Sequence, residues 1–154
     1  MPKKSAGILL YRFDSAALQV FLVHPGGPFW KNKDLGSWSI PKGEFGDDEP
    51  PLDAAIREFE EETGLKPDGN FIALTPVKMK SGKIIHCFAL LGDFNPSHLK
   101  SNTFSTEWPP RSGLKADFPE VDKGEWFSLE DAMKKVNQSQ MELINQLSAK
   151  LNLP

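Results

Sequence analysis

The chain has 154 residues, 39% of them hydrophobic and 25% charged, with a formal net charge of −3. That length suits one domain burying roughly 68–70% of its unfolded surface, and the composition excludes an intrinsically disordered chain. The small negative charge excludes a broad polyanion-binding surface, so a phosphate ligand has to be met locally and long nucleic acid is not an expected partner.

SAGILLYRF and LQVFLVHP are apolar, β-rich runs flanking DSAA, which predicts a strand pair. The apolar part of MPKKSAGILLYRF is shorter than a secretory core and runs straight into Arg12 and Asp14. No stretch approaches the ~18 apolar residues of a membrane span, so no membrane partner is expected and a cytoplasmic protein is the default expectation. GGPFWKNKDLG reads as a loop from its glycines, Pro28 and polar residues. SWSI reads as a short strand entering PKGEFGDDEPP.

A helix is predicted from Pro51 to Thr63, with Asp48 or Glu49 as cap, prolines in the first turn and Gly64 ending it. NFIALTPVKM and KIIHCFALLGDF flank KSG and read as a hairpin. The stretch from Asn95 to Gly124, rich in Pro, Ser, Gly and Asn, is expected to be mostly loop. EWFSL is a short strand leading to a helix from Leu129, with Ser128 and Asp131 at capping-box spacing, and SQMELINQLSAKL is a final amphipathic helix. Strands, helix, strands, then helices give a mixed α/β (α+β) class with helices packed on a mixed sheet. The apolar face of the last helix suits internal packing or a second copy equally, and the sequence leaves the oligomeric state open. The single cysteine, Cys87, sits in HCFALL and is expected to be a small buried hydrophobe, while His24, His86 and His98 lack zinc-site spacing.

REFEEETG, Arg57 to Gly64, crowds four glutamates into five positions. At about 100° per residue, with Glu58 at zero, Glu61 falls near about −60° and Glu62 near about +40°. Glu60 falls near about 200° and is expected in solvent, while Leu52, Ala55, Ile56 and Phe59 make a neighbouring apolar stripe. Like charges three and four residues apart repel, and acids near a helix C-terminus oppose the dipole. Arg57 offsets part of this by pairing with Glu61. Two readings fit: a solvated acidic face, or carboxylates meant for a hard divalent cation, which takes one or two of them plus phosphate and water.

The wider frame distinguishes them. From Gly43 to Leu65 the chain reads Gly, five residues, Glu49, seven residues, then Arg57-Glu58-Phe59-Glu60-Glu61-Glu62-Thr63-Gly64-Leu65. This resembles the Nudix box, G-x5-E-x7-R-E-U-x-E-E-x-G-U, at every specified position. The resemblance implies a single Nudix domain over residues 1–154, with a mixed β-sheet sandwiched between helices. It also implies a hydrolase that cuts a P–O–P bridge in a nucleoside diphosphate linked to another group, using Mg2+ or Mn2+. Carried over by position, Glu58, Glu61 and Glu62 are the metal-binding carboxylates, with Glu58 or a later glutamate as general base. Gly43 lends its backbone carbonyl to the metal, and Glu49 and Arg57 orient the acids. A further carboxylate in this family often comes from a later loop. Glu120 in FPEVDKGEW is the expected one, and Glu107 in STEWPP the alternative.

WSIPKGE, Trp38 to Glu44, is similar to the W-x-x-P-K-G lead-in of dinucleoside polyphosphate and diphosphoinositol polyphosphate members. Lys42 is therefore a candidate phosphate contact, and Trp38 a core residue. Trp30 beside Lys31 and Lys33, and Trp108 near Arg111, are candidates to stack a base and meet phosphate. The only tyrosine, Tyr11, does not match the base-stacking tyrosine common downstream of the box in diadenosine polyphosphate hydrolases. A dinucleoside polyphosphate is thus one expected substrate. A nucleoside triphosphate, nucleotide sugar, ADP-ribose or capped RNA end is the alternative, as is a nucleotide-binding module without turnover.

Overall fold

Alternation along the first strand builds the two faces of the molecule. In β1 (Lys4–Asp14), Ala6, Ile8 and Leu10 point to one side and Leu9 and Tyr11 to the other, and all are buried. A strand covered on both faces reads as a continuous apolar run, which is why AGILLY shows no polar alternation. β2 (Ala17–Pro25) returns antiparallel through Ser15 and Ala16, both at positive φ, the backbone that a two-residue hairpin turn requires. The computed structural model describes residues 2–151; residues 1 and 152–154, the ends of the expected 1–154 domain, lie outside it.

The sheet continues with β3 (Lys42–Phe45), β4 (Phe71–Ala73), β5 (Val77–Lys78), β6 (Ile84–Leu91) and β9 (Val121–Ser128), the last following β7 (Thr103–Glu107) and β8 (Lys115–Pro119). Its order is β4-β6-β1-β2-β9, with β3 added to β1 and β5 to β6. β1 and β6 run parallel and the other pairs antiparallel, so the sheet is mixed as expected. On one face lies α1 (Pro51–Thr63), whose Ala54, Ala55 and Phe59 pack on Ile8, Leu10, Phe21 and Val23. On the other lie α2 (Leu129–Lys135) and α3 (Met141–Lys150), with Leu143, Ile144 and Leu147 against Leu9, Val20, Leu22 and Cys87. The sandwich expected from the element order is present, Trp38 is a core residue at 2% exposure, and burial pushes the Cys87 thiol up to about 12.

Four local expectations change. SWSI makes only isolated bridges, Val23 to Ser39 and Trp38 to Val136, because the Ile40 N–H donates to Gln140 Oε1 and Pro41 has no N–H. The strand starts one residue after that proline, as β3. NFIALTPVKM splits into β4 and β5 around Pro76, and the Thr75 N–H donates to Gln146 Oε1 instead of to a ladder.

The segment from Asn95 to Gly124, expected as loop, contains the β7–β8 hairpin, a separate two-stranded sheet. Its strands half-bury one face only, placing Phe104 opposite Phe118, and its seven-residue Pro-Gly connection hides the alternation from a composition reading. Neither Asp48 nor Glu49 caps α1. Pro50 occupies that position without a side-chain bond, Pro51 begins the helix, and Glu49 turns to Arg57. Gly64 ends α1 in the left-handed region at φ 84°, and the Ser128 hydroxyl accepts from the Asp131 N–H at 3.2 Å, as the sequence predicts.

Phe21 anchors the α1 face. It is fully buried, 5.3 Å from the Phe94 ring and 5.5 Å from Trp126, and it lies so close to Gly124 that a Cβ there would stand 2.4 Å from it. Phe21→Ala is expected to destabilise by about 3–5 kcal/mol in denaturant unfolding. Ser5 is 1% exposed and its hydroxyl has no partner among the described residues. Ser5→Ala is therefore expected to be neutral or to stabilise by about 1 kcal/mol in the same measurement.

Candidate functional site

The buried face of α1 is not the stripe its apolar residues suggest. Ala54, Ala55, Glu58, Phe59, Glu62 and Thr63 are the buried positions, so Glu58 and Glu62 lie within the face that meets the sheet. Each keeps only 8% of its surface, while Glu60 is exposed as expected. The face has rotated toward the glutamates because β3 gives them room. A Cβ at Gly43 would stand 2.1 Å from the Glu58 carboxyl carbon, so only glycine lets this carboxylate lie against the strand.

One guanidinium organises the acids. Arg57 Nε and Nη2 donate to the two Glu49 oxygens at 2.9 Å each, a bidentate pair. Its Nη1 donates to Glu58 at 2.8 Å and to Glu61 at 3.3 Å. The predicted Arg57–Glu61 pair is present, and the Glu58 contact is the shorter. Hydrogen bonds from Arg57 hold the Glu49 carboxyl below its ordinary range, and the guanidinium stays firmly protonated.

The remaining charge is poorly compensated. Burial, then the neighbouring Glu58, pushes Glu62 up to about 8, against the opposing Lys42 ammonium and a further rise from Glu120. Glu58 is raised by burial and by Glu61 and Glu120, with Arg57 pulling the other way. Glu120 is raised by desolvation and by Glu61. Glu58, Glu61, Glu62 and Glu120 thus share one electrostatic neighbourhood. Lys42 is in it too: burial first, then Lys83, lowers its pKa, while Glu62, Glu44 and Glu58 raise it.

Glu120 reaches α1 through backbone bonds that sequence reasoning missed. A helix leaves its last carbonyls without helical partners. Lys100 N–H takes the Thr63 carbonyl and Asn102 N–H takes that of Glu61, both at 2.9 Å, which docks this segment on the end of α1. Glu120 N–H then donates to the Asn102 carbonyl at 2.8 Å, and Gly26 N–H to the Glu120 carbonyl at 2.9 Å. Asn102 and Gly26 carry no local sequence signal, because they act through backbone atoms. Glu107 is elsewhere: its carboxylate accepts the N–H groups of Arg111 and Gly113 and closes the β7–β8 turn.

Trp30, Trp108 and Arg111 are not among the groups that perturb the acids. Trp30 is an exposed loop residue with Lys33 Nζ 4.9 Å from its ring centre. Trp108 meets Phe29 edge-on at 5.7 Å, so Phe29, which the sequence did not single out, joins the two candidate loops. Arg111 sits in the hairpin turn at φ 62°. The larger described cavity, about 700 Å³, is lined by none of the acids. It opens beside Lys78, Lys80 and Lys134, with Met79 and Met141 at its apolar wall, and both methionines pack on the α2–α3 core.

The donor set here is all oxygen, which suits Mg2+ or Mn2+, and desolvated carboxylates that raise one another would gain from a cation. Among the described residues no three His, Cys, Asp or Glu side chains converge into a finished ligand set. Glu58 and Glu61 instead turn to Arg57. No helix of the described residues is long and apolar enough to cross a membrane.

A family model described as "NUDIX domain" matches residues 1–147. An RNA pyrophosphohydrolase of Bartonella tribocorum is 31% identical over 108 residues, which is 60% of this chain and 57% of that protein. An octanoyltransferase of Myxococcus xanthus is 30% identical over 101 residues, 66% of this chain and 25% of that protein. The chain thus spans about a quarter and a little over half of these two relatives. Among solved structures, a C. elegans Ap4A hydrolase binary complex superposes with a TM-score of 0.66 at 20% identity, covering 97% of this chain and 98% of that one. The NUDIX domain of Shewanella oneidensis NrtR complexed with ADP ribose gives 0.69 at 19%, covering 98% and 89%. At these identities the likeness is one of fold.

Glu62 sets a pH dependence whose sign is fixed. Its folded pKa, about 8, lies above the unfolded value near 4.5, so the folded state binds the extra proton between them. Stability is therefore present below about pH 4.5 and lost as pH rises toward 8. In metal-free buffer, Glu62→Gln is expected to stabilise the protein at pH 8 by on the order of 2 kcal/mol and to have little effect at pH 4.5, read by urea unfolding at both pH values.

Proposed function

Since the chain belongs to the Nudix family, whose domain model matches residues 1–147, we propose that it is a Mg2+-dependent (or Mn2+-dependent) pyrophosphohydrolase that cleaves a P–O–P bond in a nucleoside diphosphate linked to another group. It is read as one Nudix domain, cytoplasmic, with a small nucleotide as its partner. The observation that carries the reading is the mutual electrostatic pressure of Glu58, Glu61, Glu62 and Glu120, which leaves Glu58, Glu62 and Glu120 raised while Arg57 bonds only Glu58 and Glu61 of the four.

In this reading Glu58, Glu61, Glu62 and Glu120, with the Gly43 carbonyl, hold the cation. Bound there, it would screen the diphosphate and acidify the attacking water. The chain's own residues do the rest. Arg57, braced by Glu49, fixes the Glu58 carboxylate at 2.8 Å and keeps it from leaving the α1–β3 crevice. Burial makes Glu58 a better proton acceptor than an exposed carboxylate, which suits a general base. Lys42, enclosed among Glu44, Glu58 and Glu62, offers an ammonium to the phosphate chain. Trp30, Trp108 and Arg111 stay as candidate base and phosphate contacts on the outer loops.

A dinucleoside polyphosphate is the preferred substrate, supported by the W-x-x-P-K-G lead-in. Nucleoside triphosphates, nucleotide sugars and ADP-ribose are the alternatives. The intact box acids favour turnover over a binding-only module.

A phosphate-release screen with Mg2+ across these four substrate classes tests the reading, and one class is expected to turn over. Glu61→Gln is expected to lower kcat/KM by on the order of a hundredfold, about 2.7 kcal/mol of transition-state stabilisation. Glu120→Gln is expected to weaken Mg2+ dependence, and Glu107→Gln to leave it unchanged. Turnover by no substrate, or full activity in Glu61→Gln, removes the enzyme assignment.

A further inference from the structure

His24 is 2% exposed at the end of β2, in a chain with three histidines, and the proposed chemistry does not use it. Its Nδ1 lies 2.9 Å from Asp122 Oδ1 and its Nε2 2.6 Å from the Lys33 carbonyl. A backbone carbonyl only accepts, and so does an ionised carboxylate. The ring therefore bridges a carboxylate on one side and a backbone carbonyl on the other. The ring is held in place by the Trp38 edge at 5.2 Å.

Both partners belong to elements of the candidate site. The β2–β9 ladder pairs His24 with Lys123 and then Pro25 with Val121, so Asp122 is the extra residue of a bulge. A bulge re-aims the side chains around it. Here Asp122 turns to His24, while Glu120, two residues earlier, bonds through its backbone to Asn102 and Gly26. On the other side, Lys33 belongs to the loop between β2 and Trp38. That loop is tied at its root by Gly26 to Glu120 and at its end by Gly36 N–H to the Lys134 carbonyl at 3.1 Å. Between those ends, Asp34 accepts from Trp38 Nε1 at 2.8 Å and pairs with Lys135, while His24 is the side chain that links the loop, through the Lys33 carbonyl, to the β9 bulge. Trp30, Lys31 and Lys33 are all exposed on it.

We propose that His24 is a positioning residue for the candidate site: it clamps the Gly26–Gly36 loop to the β9 bulge, and so fixes the loop and Glu120 relative to α1. This rests on the preceding reading only in giving Glu120 a metal-binding role. The bond chain is continuous: His24 to Asp122, the bulge to Glu120, Glu120 to Asn102, and Asn102 to the Glu61 carbonyl of α1. Without the clamp, the loop keeps its ends and the Asp34 bonds but loses its tie to β9 at Lys33, and the bulge loses the partner that aims it.

The test uses the full chain and four proteins: wild type, His24→Phe, Asp122→Ala and Asp122→Asn. Phenylalanine keeps the ring packing on Trp38 but donates nothing. Asparagine keeps both bonds, since a neutral imidazole can accept from its amide at Nδ1 and still donate from Nε2 to Lys33. Two readouts are taken: limited trypsin cleavage at Lys31 and Lys33, and the Mg2+ dissociation constant by calorimetry. In His24→Phe and Asp122→Ala, cleavage is expected to accelerate and Mg2+ affinity to fall, each by on the order of tenfold, about 1.4 kcal/mol. Asp122→Asn is expected to stay within about threefold of wild type in both. If His24→Phe does not fold, Asp122→Ala against Asp122→Asn carries the comparison. Unchanged cleavage and Mg2+ affinity in a folded His24→Phe, with only a lower Tm, overturns the proposal, as does Asp122→Asn behaving like Asp122→Ala. If wild type binds no Mg2+, the metal reading fails, and the trypsin comparison still decides the clamp.

Discussion

Arg57 is the cation on which the acidic side of this molecule depends. It satisfies Glu49 with two bonds and Glu58 and Glu61 with the remaining nitrogen. A lysine would not replace it, because a single ammonium has no planar fork to hold Glu49 bidentately while reaching two more carboxylates. Glu49 in turn fixes where the chain enters α1, at a helix start with no side-chain cap of its own. The ion pair therefore does two jobs: it anchors the helix N-terminus and sets the direction of the acids about two to three turns later. Neither job is a matter of surface charge, since the partners are all partly or largely buried.

The sheet supplies the other constraint. β1 is buried on both faces and pairs with β6, β2 and β3, so the strands around the acids are referred back to it. β3 places Lys42 and Gly43 under α1, β2 ends at His24, and β9 pairs with β2 through the bulge that follows Glu120. Distance in sequence is large between Gly43, Glu61 and Glu120, but each lies within one or two hydrogen-bonded steps of the same strands. This is how the segment that carries the β7–β8 hairpin holds the Glu120 backbone beside α1.

What could be read from sequence follows the range of the physics. The strand pair, α1 and its Gly64 end, the Ser128 cap and the sandwich are local patterns, and each was legible. The Glu58, Glu61 and Glu62 face followed from helix geometry, and the box from Gly43 to Leu65 gave the family. The β7–β8 hairpin was not legible, because its one-sided burial depends on neighbours and its turn is rich in proline and glycine. SWSI failed as a strand because the acceptor that drew off the Ile40 N–H is Gln140, a hundred residues away. The backbone routes through Asn102 and Gly26, and the His24–Asp122 pair, are contacts between distant segments with no spacing rule to announce them.

The buried orientation of Glu58 and Glu62 is the clearest departure from a stability-driven design. A helix selected only to pack would place alanine or leucine where these carboxylates meet β3, and it would not need glycine at position 43 to make space. Instead the face sets two acids against the sheet, raises Glu62 to about 8, and leaves Lys42 and Arg57 to balance them in part. Strained electrostatics of this kind persist where another role maintains them. The same physical argument separates Glu60 from its neighbours: it is exposed, perturbs none of the other acids, and needs nothing beyond solvent. Four glutamates that look alike in REFEEETG are thus sorted into one ordinary surface charge, one half-exposed partner of Arg57 and two buried groups, Glu58 and Glu62, whose environment is costly unless something positive is bound.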